Sequence, residues 1–366
     1  MAGISYVEAT CNMGEDGPPP VVGLSLDVAP GELVALVGPP GCGGDTALRL
    51  VAGLETLSGG RILISGADVS GRPPSDRSVA MVHGDQMLYP HMTVAENIAF
   101  SLKLRGRSRA ERRALVRRTA ALLELEAKLD ARPHALSAQE RQRAALGRAI
   151  ARGADALLLR DPLAGLAPQL RAEAIMRIAA LQAQLGPATI HVSGDLEESL
   201  ALGHRVAVMR DGVLQQLDTA RNLYEKPVNA FVAGFIGSPA MNFRTVKITP
   251  SGAMLDGSVA LPMTAPTLGA ARRENMPSLI VGYRPEAARV TSTSDPGTLV
   301  LVATLVEQLG AQARVHGRLE GDGPHELPWV LICESRQATR VGERVRFTLD
   351  ARAAHLFDPD TGLRLN

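Results

Sequence analysis

The chain has 366 residues, 45% of them hydrophobic and 21% charged, enough apolar side chain for the cores of two or three domains at ~150 residues each. Its 39 basic and 38 acidic residues leave a net charge of +1, which argues against a nucleic-acid partner. Three distant cysteines (Cys11, Cys42, Cys333) give no disulfide framework or zinc spacing, and no apolar run nears the ~20 residues of a bilayer span, so a cytosolic, multidomain protein is expected.

Gly31–Val37 is a β-rich run closed by Gly38, and Ala47–Ala52 follows with helical character. Arg77–Val82, Ala156–Leu159, Thr189–Val192 and Arg205–Met209 are further short apolar runs separated by helix-length segments, the pattern of a mostly parallel sheet covered by helices. A helical insert lies between the second and third runs. There Ser108–Glu111 is a capping box that opens a helix through about Lys128, with Leu115, Leu122 and Leu125 toward one face. Beyond Phe243 the texture changes. Lys247–Val259, Leu279–Gly282, Leu299–Val306, Arg314–Leu319, Trp329–Cys333 and Arg344–Leu349 are β-type segments punctuated by Gly and Pro. The expected fold is α/β over residues 1–243, with a helical subdomain at about 88–152, then an all-β domain over 244–366 resembling a small barrel.

Gly38, Pro39, Pro40, Gly41, Cys42, Gly43, Gly44, Asp45 and Thr46 form a glycine-rich turn between a strand and a helix. Backbone N–H groups in such a turn point at an anion, so the segment is a candidate phosphate cradle. Glycine spacing alone is weak evidence.

The longer segments are more specific. Leu88–Phe100, Arg141–Ile150 and Asp195–Gly212 resemble the ATPase subunits of ABC transporters. Tyr224–Phe243 narrows the resemblance to the sugar and glycerol-phosphate importer branch, and Tyr283–Glu286 and His355–Asp358 resemble that branch's OB-like regulatory domain. The resemblance covers nearly the whole chain. It implies a P-loop ABC-ATPase domain with a helical insert, working as a homo- or heterodimer under ABC permease membrane subunits at the cytoplasmic face of the membrane. Each ATP would lie between one subunit's phosphate loop and the other's signature segment.

Against that pattern, the positions that carry chemistry depart. Gly44 stands where the family has the phosphate-loop lysine, and Asp45 where it has the Mg²⁺-holding hydroxyl. Arg160 and Asp161 fall at the metal aspartate and the catalytic glutamate, with Pro162-Leu163 fixing the register. Sliding the strand by one residue would turn its side chains to the other face. Gly84 replaces the glutamine that senses the attacking water, with Gln86 two residues on, and Gly194 replaces the switch histidine. Ala167 stands for a further aspartate, and Met13 for the adenine-stacking aromatic. The signature is Ser137, Ala138, Gln139 and Glu140, with Glu140 completing a capping box that favours the helix but sets a carboxylate where a partner's γ-phosphate would come.

Losing a charge-assisted donor costs roughly 1.5–3 kcal/mol, and these losses act as one unit. A pseudo-ATPase is therefore expected, with weak ATP binding, doubtful Mg²⁺ binding and little or no hydrolysis. Asp45 and Arg160 flank the same metal position in the family fold and are expected to pair and fill it; two unrelated drifts toward solvent are the alternative. Leu88–Phe100, where the family receives a membrane subunit's coupling helix, is intact and is expected to be a retained docking surface. Arg109, Arg112, Arg113, Arg117 and Arg118 make a basic helix face, expected to be solvated. His83, His91, His134 and His191 show no metal spacing. Two rival functions remain: an active ATPase with compensating residues, and a protein-binding module outside transport.

Overall fold

The computed structural model describes residues 3–12, 20–85, 88–249, 252–255, 259–273, 276–295, 297–323 and 326–365. The chain divides into two compact units, Met1–Ala220 and Arg221–Asn366.

In the first unit β1 (Ile4–Cys11) and β2 (Val21–Val28) form an antiparallel pair ahead of β3 (Leu33–Val37) and helix α1 (Gly44–Ala52). β4 (Gly59–Ile64) and β5 (Ala67–Asp68) extend that pair into a sheet ordered β2-β1-β4-β5, which the apolar-run reading did not foresee. After β6 (Val79–His83) come α2 (Val94–Leu104), α3 (Arg109–Leu122) and α4 (Ala138–Ala151). The unit closes with β7 (Ala156–Arg160), α5 (Pro168–Leu185), β8 (Ala188–Val192), α6 (Leu196–Leu202), β9 (Arg205–Arg210) and β10 (Val213–Asp218).

Among the described residues the main sheet has the order β10-β9-β3-β8-β7-β6, parallel except for the β9–β10 hairpin at its edge. Every residue of β3 is buried, as a central strand covered on both faces requires. Open α/β sheets present their ligand sites at the carboxyl ends of the strands, and here His83, Arg160 and Val192 stand in register along that edge.

Three helices of the insert start with capping boxes: Thr93 with Glu96, Ser108 with Glu111, and Ser137 with Glu140. The second ends earlier than its sequence suggests. α3 stops at Leu122, Glu124 turns to φ 53°, and Glu126–Lys128 is a separate single turn. Its buried residues are Val116, Thr119 and Ala120, with Leu115 and Leu122 half-buried against the same core and Leu125 buried from beyond the helix.

The second unit holds two five-stranded antiparallel sheets among the described residues. One orders Val259–Leu261, Gly252–Leu255, Asn242–Thr249, Ser278–Tyr283 and His355–Phe357; the other orders Ala288–Val290, Arg344–Leu349, Leu299–Leu309, Gln312–Leu319 and Trp329–Glu334. Trp329, Tyr283 and Phe347 fill the core. The β-rich domain expected from the sequence is present, and helix Ala265–Arg273 connects two of its strands. Its alanines favour helix, and Pro266 in the first turn is tolerated because that N–H lacks a helical partner anyway.

Candidate functional site

The glycine-rich turn leaves β3 at Val37 and is shaped by close backbone approach. A Cβ on Gly38 would fall 2.2 Å from the Met209 carbonyl oxygen, and one on Gly43 2.0 Å from that of Pro20. Gly41 and Gly43 take φ of 82° and 99°, which glycine alone adopts without strain. The amide of Cys42 donates to Pro39, and its carbonyl accepts from Gly212. Burial pushes the Cys42 thiol above its ordinary pKa, so it is no reactive thiolate. Gly44 opens α1, whose N-terminus has no side-chain cap. A Cβ there would meet only ordinary contacts, the nearest being Leu36 at 3.6 Å.

Across from the turn, β7 ends in Arg160. Its Nε lies 2.5 Å from Asp45 Oδ1 in the first turn of α1, the pairing expected from the sequence. Asp45 Oδ1 has no aligned donor, so this is a charge contact rather than a well-formed hydrogen bond. The other arm of the guanidinium reaches His83, with Nη1 2.5 Å from Nε2. Arginine can only donate, so His83 accepts at Nε2 and carries its proton on Nδ1, 3.1 Å from Asp85 Oδ1. Asp45, Arg160, His83 and Asp85 thus form one chain across the carboxyl edge of the sheet. His83 was missed in the sequence, where nothing marks it; only its register opposite Arg160 reveals it.

Asp161 follows at φ 45°, a left-handed conformation that a short polar side chain tolerates. Its Oδ1 accepts the Gly194 amide at 3.1 Å, and its own amide donates to Val192. The carboxylate therefore ties down the loop after β8. Gly84 packs beneath this turn: a Cβ would lie 2.4 Å from the Asp161 carbonyl oxygen and 2.8 Å from Ala164 Cβ. Gly194, in contrast, has nothing within 4 Å of its Cβ position. Met13 and Gln86 lie outside the described residues.

At the start of α4, the Ser137 hydroxyl accepts from the Glu140 amide and Glu140 Oε2 accepts from the Ser137 amide. Lys128 Nζ lies 3.2 Å from Glu140 Oε1, and Gln139 donates to Glu173. The Ser137 amide and Lys128 hold the Glu140 carboxyl below the ordinary carboxylate range. Ala138 is half-buried. Ala167 caps α5 without a side-chain bond, whereas Asp195 caps α6 through the Glu198 amide and pairs with Arg171 at 2.7 Å.

Under the same loop is a buried pair that the sequence did not disclose. His191 Nε2 and Glu198 Oε1 are 3.4 Å apart, in residues 0% and 5% exposed. Burial pushes Glu198 up to about 7 and His191 down to about 4.

The Leu88–Phe100 segment is braced by Asn97, wholly buried, which accepts the Tyr89 amide and donates to the Tyr89, Met92 and Thr93 carbonyls. Between this segment and α3 runs a groove of about 930 Å³ lined by Met92, Phe100 and Val116 together with Arg109, Arg113 and Arg117. Among the described residues no helix is long and apolar enough to cross a membrane, and no group of three or more His, Cys, Asp or Glu could hold a metal ion.

Residues 21–164 match the ABC transporter family model, 237–288 the MalK OB fold domain and 281–357 the TOBE domain. The chain is 41% identical to the diacetylchitobiose uptake system ATP-binding protein MsiK of Streptomyces coelicolor, over 100% of both chains. It is also 41% identical to the sn-glycerol-3-phosphate import ATP-binding protein UgpC of Paracoccus denitrificans, over 94% of each. To the trehalose import ATP-binding protein SugC of Mycobacterium tuberculosis it is 39% identical, over 96% of this chain and 95% of that one. A solved structure of the ATP-binding cassette MJ0796, dimeric and in a post-hydrolysis state bound to ADP and Pi, superposes with a TM-score of 0.52 at 23% identity, covering 59% of this chain and 98% of that one, and shares the fold. With full-length identity of this order and domains that match in sequence order, the chain belongs to the family of ATP-binding subunits of ABC importers for sugars and glycerol phosphate.

Proposed function

We propose that this protein is the nucleotide-binding subunit of an ABC carbohydrate importer whose own ATP site is disabled. It would act as a structural or regulatory half of a dimer on permease subunits at the cytoplasmic membrane face. The observation that carries this reading is the Asp45–Arg160 contact, between the two positions to which the resemblance assigns Mg²⁺ ligands. Mg²⁺ demands near-ideal octahedral oxygen ligation, and the donor set does not fit it: one carboxylate is engaged by a guanidinium, and the guanidinium cannot ligate at all. Gly44 supplies no cation for the phosphates, Asp161 is spent on the Gly194 amide, and Glu140 brings negative charge to the signature helix. Backbone amides of the turn remain, and alone they favour weak, metal-independent nucleotide binding.

Retention of the Leu88–Phe100 segment supports a role on the permease rather than a module outside transport. Random decay would damage scaffold and chemistry alike, yet here the capping boxes, the buried Asn97 and the loop glycines are intact while the chemical positions are altered. In a dimer with a competent subunit both composite sites would be impaired, since each would draw either its loop or its signature from this chain.

The test is titration of the purified protein with a fluorescent ATP analogue, with and without Mg²⁺, beside the Gly44→Lys/Asp45→Ser/Arg160→Asp triple variant. The expected result is weak, Mg²⁺-indifferent binding by the parent and tight Mg²⁺-dependent binding by the variant. Tight Mg²⁺-dependent binding by the parent would overturn the reading in favour of an active ATPase.

A further inference from the structure

In the second unit a cleft of about 400 Å³ opens between helix Ala220–Glu225, the turn at Arg284–Ala287 and the strand His355–Phe357. This volume falls within the ~300–1,000 Å³ of small-molecule sites and exceeds what a bare oxyanion fills. Four guanidinium groups line it, from Arg284, Arg289, Arg352 and Arg364. Three carboxylates line it too, and each is already engaged. Glu225 pairs with Arg221 at 2.8 Å, Glu286 accepts the Tyr224 hydroxyl, and Asp350 caps the Arg352 amide at 2.9 Å.

The cationic side is partly anchored and partly free. Arg284, 5% exposed, stacks over Tyr224 at 3.9 Å and donates to the carbonyls of Tyr224, Ala233 and Ile236, so its charge is fixed in place. Arg289 and Arg352 are exposed and have no ion-pair partner among the described residues. Two polar atoms of residues that line the cleft, Arg284 Nε and His355 Nδ1, are buried without a hydrogen-bond partner. Such orphaned groups are uncommon and call for a cause. His355 also reports the local field: burial, then the charges of Arg364 and Arg284, push its pKa down to about 4.

An excess of fixed and free guanidinium groups around a cavity with room for an organic body fits planar, bidentate recognition of a phosphate group. We propose that this cleft binds a phosphate monoester of a small polar molecule, held by Arg289 and Arg352 against the anchored Arg284. This site lies wholly within the second unit and does not depend on the state of the phosphate loop.

The experiment is isothermal titration of the full-length protein with glucose 6-phosphate, with inorganic phosphate and glucose as comparisons. The same titrations are run on the Arg289→Ala/Arg352→Ala double variant. Neither side chain joins the carbonyl network that holds Arg284, so the variant should keep the parent's circular dichroism and melting temperature. The expected result is saturable binding of glucose 6-phosphate by the parent, weakened at least tenfold in the variant, with inorganic phosphate weaker and glucose without effect. No saturable binding by the parent, or equal binding by the folded double variant, overturns the proposal. Inorganic phosphate binding as tightly as the monoester would overturn the assignment of an organic body, and glucose binding as tightly would overturn recognition of the phosphate.

Discussion

Asp45 and Arg160 meet between the first turn of α1 and the last residue of β7, so that the glycine-rich turn and the strand end are joined by an ion pair, the one on which the proposed disabled site rests. The side chains are 40% and 31% exposed, so the contact is screened by water and holds little stability, about 0–1 kcal/mol. Arg160→Ala should therefore shift the urea midpoint only slightly. It should also leave nucleotide binding weak, because Gly44 still offers the phosphates no cation. A shift worth several kcal/mol, or tight Mg²⁺-ATP binding by this single variant, would show that Arg160 does something other than occupy the site.

Gly84 and Gly194 look alike in sequence and are opposite in structure. At Gly84 a side chain would meet the Asp161 carbonyl oxygen at 2.4 Å, a backbone atom that cannot swing aside. Gly84→Gln should destabilise the fold by roughly 1–3 kcal/mol, as overpacking generally does. Gly194→His meets nothing within 4 Å and should be near neutral. Urea denaturation of the two variants checks this directly, and equal midpoints would contradict it. A glutamine at position 84 therefore requires the Asp161 turn to move first.

The signature helix should depend on its cap and be indifferent to its charge. Ser137→Ala removes the hydroxyl that accepts the Glu140 amide and should cost about 1 kcal/mol. Glu140→Gln keeps a side chain able to complete the capping box and loses only a partly exposed contact with Lys128, so it should cost less than about 1 kcal/mol. Thermal melts of both variants decide the order, and a larger loss for Glu140→Gln would move the weight from the cap to the ion pair.

How much of this was legible in the chain depends on distance along it. The strand runs around Val34, Leu158, Ile190 and Val206 were readable because a strand buried on both faces is a continuous apolar stretch. Capping boxes at Ser108 and Ser137 were readable because the signal spans four residues. The Asp45–Arg160 pair followed from the family frame, since both positions flank one ligand there. By contrast, His83 entered only through its register opposite Arg160, and Gly84 gained meaning only from the Asp161 turn above it. Both relationships join strands far apart in sequence and leave no local periodicity. The end of α3 at Leu122 was missed because the apolar pattern continues through Leu123 and Leu125 while the backbone turns at Glu124.

The buried His191–Glu198 pair should impose two opposing pH slopes on stability. Glu198 titrates at about 7 in the folded chain, against an ordinary value of 4.5, so the folded state holds its proton longer than the unfolded state. Its contribution is full below pH 4.5 and is lost as pH rises toward 7, by up to about 3 kcal/mol at 1.36 kcal/mol per unit. His191 runs the other way. It is held neutral down to about 4, against 6.5 unfolded, so its contribution is full above 6.5 and is lost as pH falls toward 4. His191 Nε2 and Glu198 Oε1 stand 3.4 Å apart without a hydrogen bond between them, and burial favours the uncharged form of each. Around them stand Asp161 and Asp195, which raise the Glu198 value, with Arg171 and the Ser193 hydroxyl lowering it. Denaturation of Glu198→Gln across pH 4 to 8 should show stability rising through the histidine range with no later decline. His191→Phe should show only the decline, as Glu198 ionises in a site that cannot solvate it. Parallel curves for the two variants would mean that neither proton is coupled to folding.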